Sequence, residues 1–428
     1  MKDGLLGFGS DSRKGDFLIS ASWQRSWKRV SHFYLNERTC AIQTIPPVST
    51  HKGNMYPVIN VIAIYPAFDI LINEMAMVWK RVCSGGAVQC LVVTCINDVL
   101  KNSLSRSSYE SWGSLAVRRF PGPLISHGDA IVTLAEEIQP QIIFCATPAN
   151  LSIARRIQKR VGGLIVLHTE YLSERKRLIN RRWYLGLKCL LPVSHYLYKS
   201  WCMWKTDRIL CSDPLDSNWG RGNELSSVKY LPWPHPSGGW TGDFEGRDPN
   251  LSVYVGSLSK AKGVVALSEY YSNLLRRQPD MHVAIIGPII DAEAKSCVAE
   301  LLKFGSERVD MRVSCARSEA LDLIGRSLFV LSTGEALGWG LIGDAWTSGT
   351  PILALAEHYD LKAGDNCLIV PDVGSFLAAA QELKKDKSLW YTVSAGGLET
   401  AKAHSLEAVA SRLFNELQTL VDGRPCDG

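Results

Sequence analysis

Short apolar runs alternating with helical segments, in two successive series, limit the folds open to this chain more than any other feature. From Val58 the runs read VINVIAIY, AVQCLVVTC, LAVRRF, QIIFCAT, GLIVLHT and RILCS. Between them lie stretches such as GDAIVTLAEEIQP and NLSIARRIQKRVG, apolar at helical spacing. Near-continuous apolar strands separated by helices belong to a parallel sheet covered on both faces. The rhythm breaks at YLPWPHPSGGWTGDFEGRDPN, whose Pro, Gly and Asp content reads as a linker. It restarts in LSVYVGSL, HVAIIGP, DMRVSC, LFVLS, PILAL and CLIVP. The expected class is α/β, with two doubly wound domains facing each other across a cleft. The pattern divides the chain into an N-terminal extension at 1–55, a first domain at 56–235, a linker at 236–250 and a second domain at 251–428. Ligands of such sheets sit at the carboxyl ends of the strands, which places the expected site in the cleft.

The chain has 428 residues, long for one core, so two domains are the default. A net charge of +5 without a dense basic stripe argues against a nucleic-acid partner. Cys90, Cys95, Cys145, Cys211 and Cys315 lie in or beside apolar runs, where a thiol packs as a small hydrophobe. With no CxxC pair or Cys/His cluster of zinc spacing, the expectation is reduced thiols, no metal site and a cytoplasmic setting. No run reaches the ~20 apolar residues that span a bilayer, and no apolar signal core opens the chain. Two basic, aromatic stretches, SASWQRSWKRVSHFYLN and NRRWYLGLKCLLPVSHYLYKSWCMWKT, read either as peripheral contacts with the cytoplasmic membrane face or as an edge extension and a half-buried helix pair.

The chemistry concentrates in LFVLSTGEALGWGLIGDAWTSGTPILAL, residues 328–355. LFVLS reads as a strand, TGEALGWG as the loop at its carboxyl end, LIGDAWTSG as a short helix and TPILAL as the next strand. Gly338 and Gly340 let backbone approach a ligand, and the first helical turn offers unpaired N–H groups, a combination suited to phosphate. Glu335 and Asp344 would repel phosphate, so they are better used as acceptors for sugar or ribose hydroxyls. Taken singly, Asp344 equally suits the helix dipole and Glu335 equally suits solvent. In VYVGSLSKAKGV a strand ends at Gly256, and Lys262 and Gly263 open a helix. Lys262, assisted by Lys260, can reach a diphosphate across the cleft, or both lysines are simply solvated.

These segments, together with LKAGDNCLIVP, resemble in order and spacing the carboxyl-terminal half of retaining glycosyltransferases of the GT-B fold, family 4, built from two Rossmann-like domains. DAWTSGTPIL matches the family's second-acid segment, with Asp344 in the place of its second Glu. The resemblance implies a nucleotide-sugar donor as co-substrate, retention at the anomeric carbon and no essential metal or other cofactor. It implies that Lys262 binds the donor diphosphate, with Gly256, Ser257, Lys260 and the backbone of Gly338, Trp339, Gly340 and Leu341 around it. Glu335 would contact the donor sugar and Asp344 the ribose. The chain departs from the family pattern in two places. Ser257 stands where an Arg is usual, and Glu335 and Asp344 are nine positions apart rather than eight. The first half resembles the family more loosely. VLHTEYL places His168 and Glu170 on the acceptor side, and FPGPLISHGDA offers His127 as a catalytic candidate near the sugar, with Asp129 as a helix N-cap. His168 equally reads as a satisfied histidine at a strand end. The acceptor would be a glycan, a lipid or a small molecule.

Three rival readings share the fold. A catalytically silent GT-B protein that binds a nucleotide or glycan as sensor or scaffold would explain the two departures. A nucleotide-sugar epimerase would use the same cleft. A dinucleotide oxidoreductase is discounted, because no G-x-G-x-x-G follows a first strand in either half.

Overall fold

Alternation along β1 (Ile59–Ile64) already builds both faces of the first sheet. Val61 and Ala63 point to one face and Ile62 and Ile64 to the other, and all four are fully buried. The structure is a computed structural model, described over residues 58–66, 74–96, 109–169, 206–212, 228–235, 243–333, 339–356 and 360–423. These all fall within one unit, Asn54–Gly428.

The first sheet adds β2 (Val88–Ile96), β3 (Tyr109–Trp112), β4 (Leu115–Pro121), β5 (Ile142–Cys145), β6 (Leu164–Thr169), β7 (Arg208–Cys211) and β8 (Val228–Tyr230). Its order is β3-β4-β2-β1-β5-β6-β7-β8, parallel except for the edge hairpin of β3 with β4. Helix α1 (Glu74–Ser84) covers one face, sending Met75, Val78 and Trp79 against Val61, Ala63 and Phe144. Helices α2 (Gly128–Ile138) and α3 (Leu151–Val161) cover the other with Ile131, Ala135, Ile153 and Ile157. Each of the Ile, Val and Met side chains so taken from water contributes on the order of 1.5–3 kcal/mol.

The second sheet contains β9 (Asp248–Val255), β10 (His282–Ile286), β11 (Val309–Arg312), β12 (Ser327–Ser332), β13 (Ile352–Ala354) and β14 (Leu368–Ile369), in the order β11-β10-β9-β12-β13-β14. All five pairings are parallel. Around it lie α4 (Val264–Arg277), α5 (Ala292–Leu302), α6 (Arg317–Arg326), α7 (Trp339–Thr347), α8 (Val373–Lys385) and α9 (Lys387–Ala403). The chain runs outward from β9 to β11 and then returns to β12 on the other side of β9. The carboxyl ends of β9 and β12 therefore meet at the switch point where open α/β sheets bind ligands.

The last helix, α10 (Leu406–Asp422), places Val409, Ala410, Leu413 and Leu417 in the core beneath the first sheet, against α1. The two connections between the sheets run side by side. His235 and Ser405 form a parallel bridge, and the His235 amide donates to the His404 carbonyl at 2.7 Å. The His404 ring contacts the Trp233 carbonyl at 2.8 Å and Asp360 at 2.9 Å, and the Tyr230 hydroxyl donates to the same Asp360 oxygen. No described helix is long and apolar enough to cross a membrane.

Candidate functional site

Beyond Gly256 the chain bends through a short loop into a 3₁₀ turn, Lys260–Lys262, and reaches Gly263 in the left-handed region at φ 76°. Only glycine suits this position on two counts. L side chains avoid that conformation, and a Cβ would lie 2.9 Å from Thr333 Cβ. Thr333 is the residue after β12, and its hydroxyl donates to the Lys262 carbonyl at 2.6 Å. The loop after β9 is thereby fastened to the end of β12, and Lys262 is set half-buried at the switch point. Ser257 is half-buried in the same loop. Lys260 points elsewhere: its Nζ lies 2.9 Å from Glu293 on α5, and its amide donates to Asp291, the N-cap of that helix.

Helix α7 starts at Trp339, two residues earlier than the sequence pattern suggested, so Trp339 and Gly340 belong to the helix and not to the loop before it. The helix follows β12, so its first turn lies at the same end of the sheet. Gly340 is exposed with open space where a side chain would stand, whereas Leu341 is buried in the core. Glu335 and Gly338, like Glu170 in the first half, lie outside the described residues.

Asp344 sits in the second turn of α7 and is only 6% exposed. Its Oδ1 accepts from Arg317 Nη2 at 2.6 Å. Burial pushes its carboxyl up to about 6; the Arg317 cation pulls the other way, and Glu74 at the start of α1 adds to the rise. A carboxyl with its midpoint near neutrality is a common mark of a functional site. One residue earlier, a Cβ on Gly343 would overlap the His235 ring, at 2.1 Å from Nδ1. This contact seats the connection between the sheets directly on α7. His235 also stacks on His404 at 5.5 Å, and burial lowers it to about 3, so the ring is neutral at physiological pH.

In the first half, His127 ends a 3₁₀ turn and precedes α2, with Nε2 2.6 Å from the Pro121 carbonyl and its ring beside Phe120. His127, not Asp129, is the N-cap; Asp129 lies in the first turn and pairs with Arg156 of α3. His168 is enclosed near the carboxyl end of β6 between Phe144 and Trp233, with Nε2 3.2 Å from the Ser212 hydroxyl, and burial lowers it to about 4. Among the described residues no cluster of three or more His, Cys, Asp or Glu side chains is arranged to hold a metal ion.

Three residues at this site were not singled out in the sequence: Arg317, Glu74 and His235. Arg317 carried a signal, since a cation that opens a helix opposes the dipole and needs a partner. The other two carried none, because their importance comes from contacts between segments far apart in sequence.

No family model matches the chain, and no curated protein matches it by sequence. Solved structures do match it. Sucrose-phosphate synthase from Thermosynechococcus elongatus superposes with a TM-score of 0.65 at 13% identity, covering 86% of this chain and 100% of its own. Anabaena HepE in complex with UDP-glucose gives 0.59 at 14%, covering 84% and 99%. A glycosyltransferase from Rickettsia africae gives 0.59 at 10%, covering 86% and 100%. At these identities the likeness establishes the architecture: the chain has the GT-B fold, two Rossmann-like lobes built on an eight-stranded and a six-stranded sheet.

Proposed function

We propose that this protein is a glycosyltransferase, moving a sugar from a nucleotide-sugar donor to an acceptor hydroxyl with retention of anomeric configuration. The observation that carries the reading is the fastening of the Lys262–Gly263 turn to Thr333 at the switch point of the second sheet, the end of the sheet at which α7 also starts. A lysine and a helix N-terminus at one end of a parallel sheet are suited to a diphosphate. HepE, of the same fold, has been solved with UDP-glucose, which makes UDP-sugars the first donors to test.

In the proposed reaction the bond between the anomeric carbon and the diphosphate oxygen breaks. The electron pair stays on the diphosphate, where Lys262 and the amides of α7 oppose the developing charge. The acceptor hydroxyl attacks from the face the diphosphate leaves, and its proton passes to the departing phosphate oxygen. Glu335 is assigned to the donor sugar, Asp344 to the ribose, His127 to catalysis near the sugar, and His168 and Glu170 to the acceptor side. No metal or other cofactor is assigned. The acceptor, a glycan, a lipid or a small molecule, would enter from the first lobe, with closure of the lobes excluding water. We assign a cytoplasmic setting, with buried thiols such as Cys90, Cys145 and Cys211 in its support.

The test is release of UDP from a panel of UDP-sugars with and without candidate acceptors, with the anomeric configuration of the product read by NMR. Acceptor-dependent release, largely lost in Lys262→Ala, is expected. Sugar interconversion without UDP release would make the protein an epimerase. Binding without turnover on any acceptor would make it a silent member of the fold.

A further inference from the structure

Arg317 opens α6 at the end of the helix where unpaired N–H groups and the dipole disfavour a cation. It is held there by Asp344, at 2.6 Å, across a steep difference in exposure: 53% for the arginine side chain against 9% for the aspartate. Among the described residues this is the only hydrogen bond of the guanidinium, and the second oxygen of Asp344 accepts none. Glu74 from α1 is the other charged group acting on the carboxylate, and His235 from the connection packs its ring on Gly343, one residue before it. Glu74 is an acid and His235 is neutral, so among the described residues the counter-charge comes from Arg317 alone.

We propose that Arg317 is a positioning residue of the nucleotide site: it fixes one oxygen of Asp344 and balances its charge, leaving the other oxygen to accept a ribose hydroxyl. This rests on the reading of Asp344 as the acid that meets the donor ribose. An enclosed carboxylate beside a second acid gains a proton when its counter-cation is removed. A protonated Asp344 would offer the hydroxyl a weaker, misoriented partner than the charge-assisted acceptor it replaces.

UDP is the probe, with its affinity measured by calorimetry from about pH 5 to about pH 9. In the parent protein, affinity should fall as pH drops through about 6, where Asp344 takes up its proton. Arg317→Ala should bind UDP on the order of tenfold more weakly at neutral pH, with the fall displaced to higher pH. Arg317→Lys should restore most of the affinity. In an Asp344→Asn background, Arg317→Ala should cause no further loss, since a residue that acts only through its partner has nothing left to act on. Arg317→Ala leaves an enclosed carboxyl without its counter-charge and should melt below the parent at neutral pH, so a thermal scan of each variant checks that it is folded at the temperature of the titrations. The inference is overturned if Arg317→Ala keeps the parent affinity and pH dependence. It is also overturned if the loss persists undiminished in the Asp344→Asn background, because Arg317 would then touch the nucleotide itself. A parent protein that binds no UDP at any pH refutes the donor reading, and this inference with it.

Discussion

Replacing Gly263 by Ala tests whether the turn that presents Lys262 is built as described. Holding an L residue at φ 76° costs roughly 1–2 kcal/mol. The new Cβ would stand 2.9 Å from Thr333 Cβ, where carbon atoms settle about 3.5–4.0 Å apart. Relieving that overlap means moving the turn away from Thr333 and losing its 2.6 Å hydrogen bond to the Lys262 carbonyl, worth about 0.5–1.5 kcal/mol. Together these give a loss of roughly 1.5–3.5 kcal/mol, read as a lowered urea midpoint. Because Lys262 moves with the turn, UDP affinity should fall on the order of tenfold as well. Gly263→Asn separates the two causes. Asn tolerates the left-handed conformation better but meets Thr333 at the same Cβ, so it should recover part of the stability and little of the affinity. Parent-like stability and UDP binding in Gly263→Ala would mean that the turn is not pinned and that its contact with β12 positions nothing.

Other outcomes follow from buried groups away from the turn. Arg247 donates to the Ser348 and Gly349 carbonyls, to Ser327 and to Thr350, and burial lowers its guanidinium to about 10; Arg247→Ala should cost about 3–5 kcal/mol in urea titrations by orphaning those acceptors at the end of α7. Asp344 titrates higher folded than unfolded, so its contribution to stability is present below the ordinary carboxyl range near 3.8 and is lost as pH rises through about 6. Asp344→Asn should therefore be at least as stable as the parent at neutral pH, while binding UDP more weakly. His168 and His235 have the opposite sign. Lowered to about 4 and about 3 from 6.5, each contributes stability above pH 6.5 that is lost as pH falls through the folded values. In acid titrations followed by circular dichroism, His168→Asn should flatten this limb, by an amount on the order of 3 kcal/mol.

The layers of the fold were legible because buried parallel strands leave a strong local mark. IIFC in β5 and HVAII in β10 have no polar outer face to confuse the pattern. The short edge strands of the first sheet were not legible. YESW in β3 and VKY in β8 are polar, exposed at one side and defined by their neighbours rather than by their own composition. The opening of β9 was lost in a similar way, since its first residues, Asp248 to Asn250, are typical of a turn and sat inside the apparent linker. Helix α10 carries an apolar stripe, yet nothing local says that it packs beneath β1 and not on the sheet it follows. At the site, Lys262 and Gly263 were visible as a turn with a cation. The pairing of Lys260 with Glu293 and of Asp344 with Arg317 was not, because each joins residues more than twenty-five positions apart.

The proposed donor site lies at the carboxyl ends of β9 and β12, where the diphosphate of a nucleotide would be held. A crystal structure of the protein with UDP tests it most directly. The diphosphate is expected between Lys262 and the first turn of α7, with the ribose at Asp344. UDP lodged elsewhere on the molecule, or an unaltered diphosphate position in Lys262→Ala at equal occupancy, would contradict it.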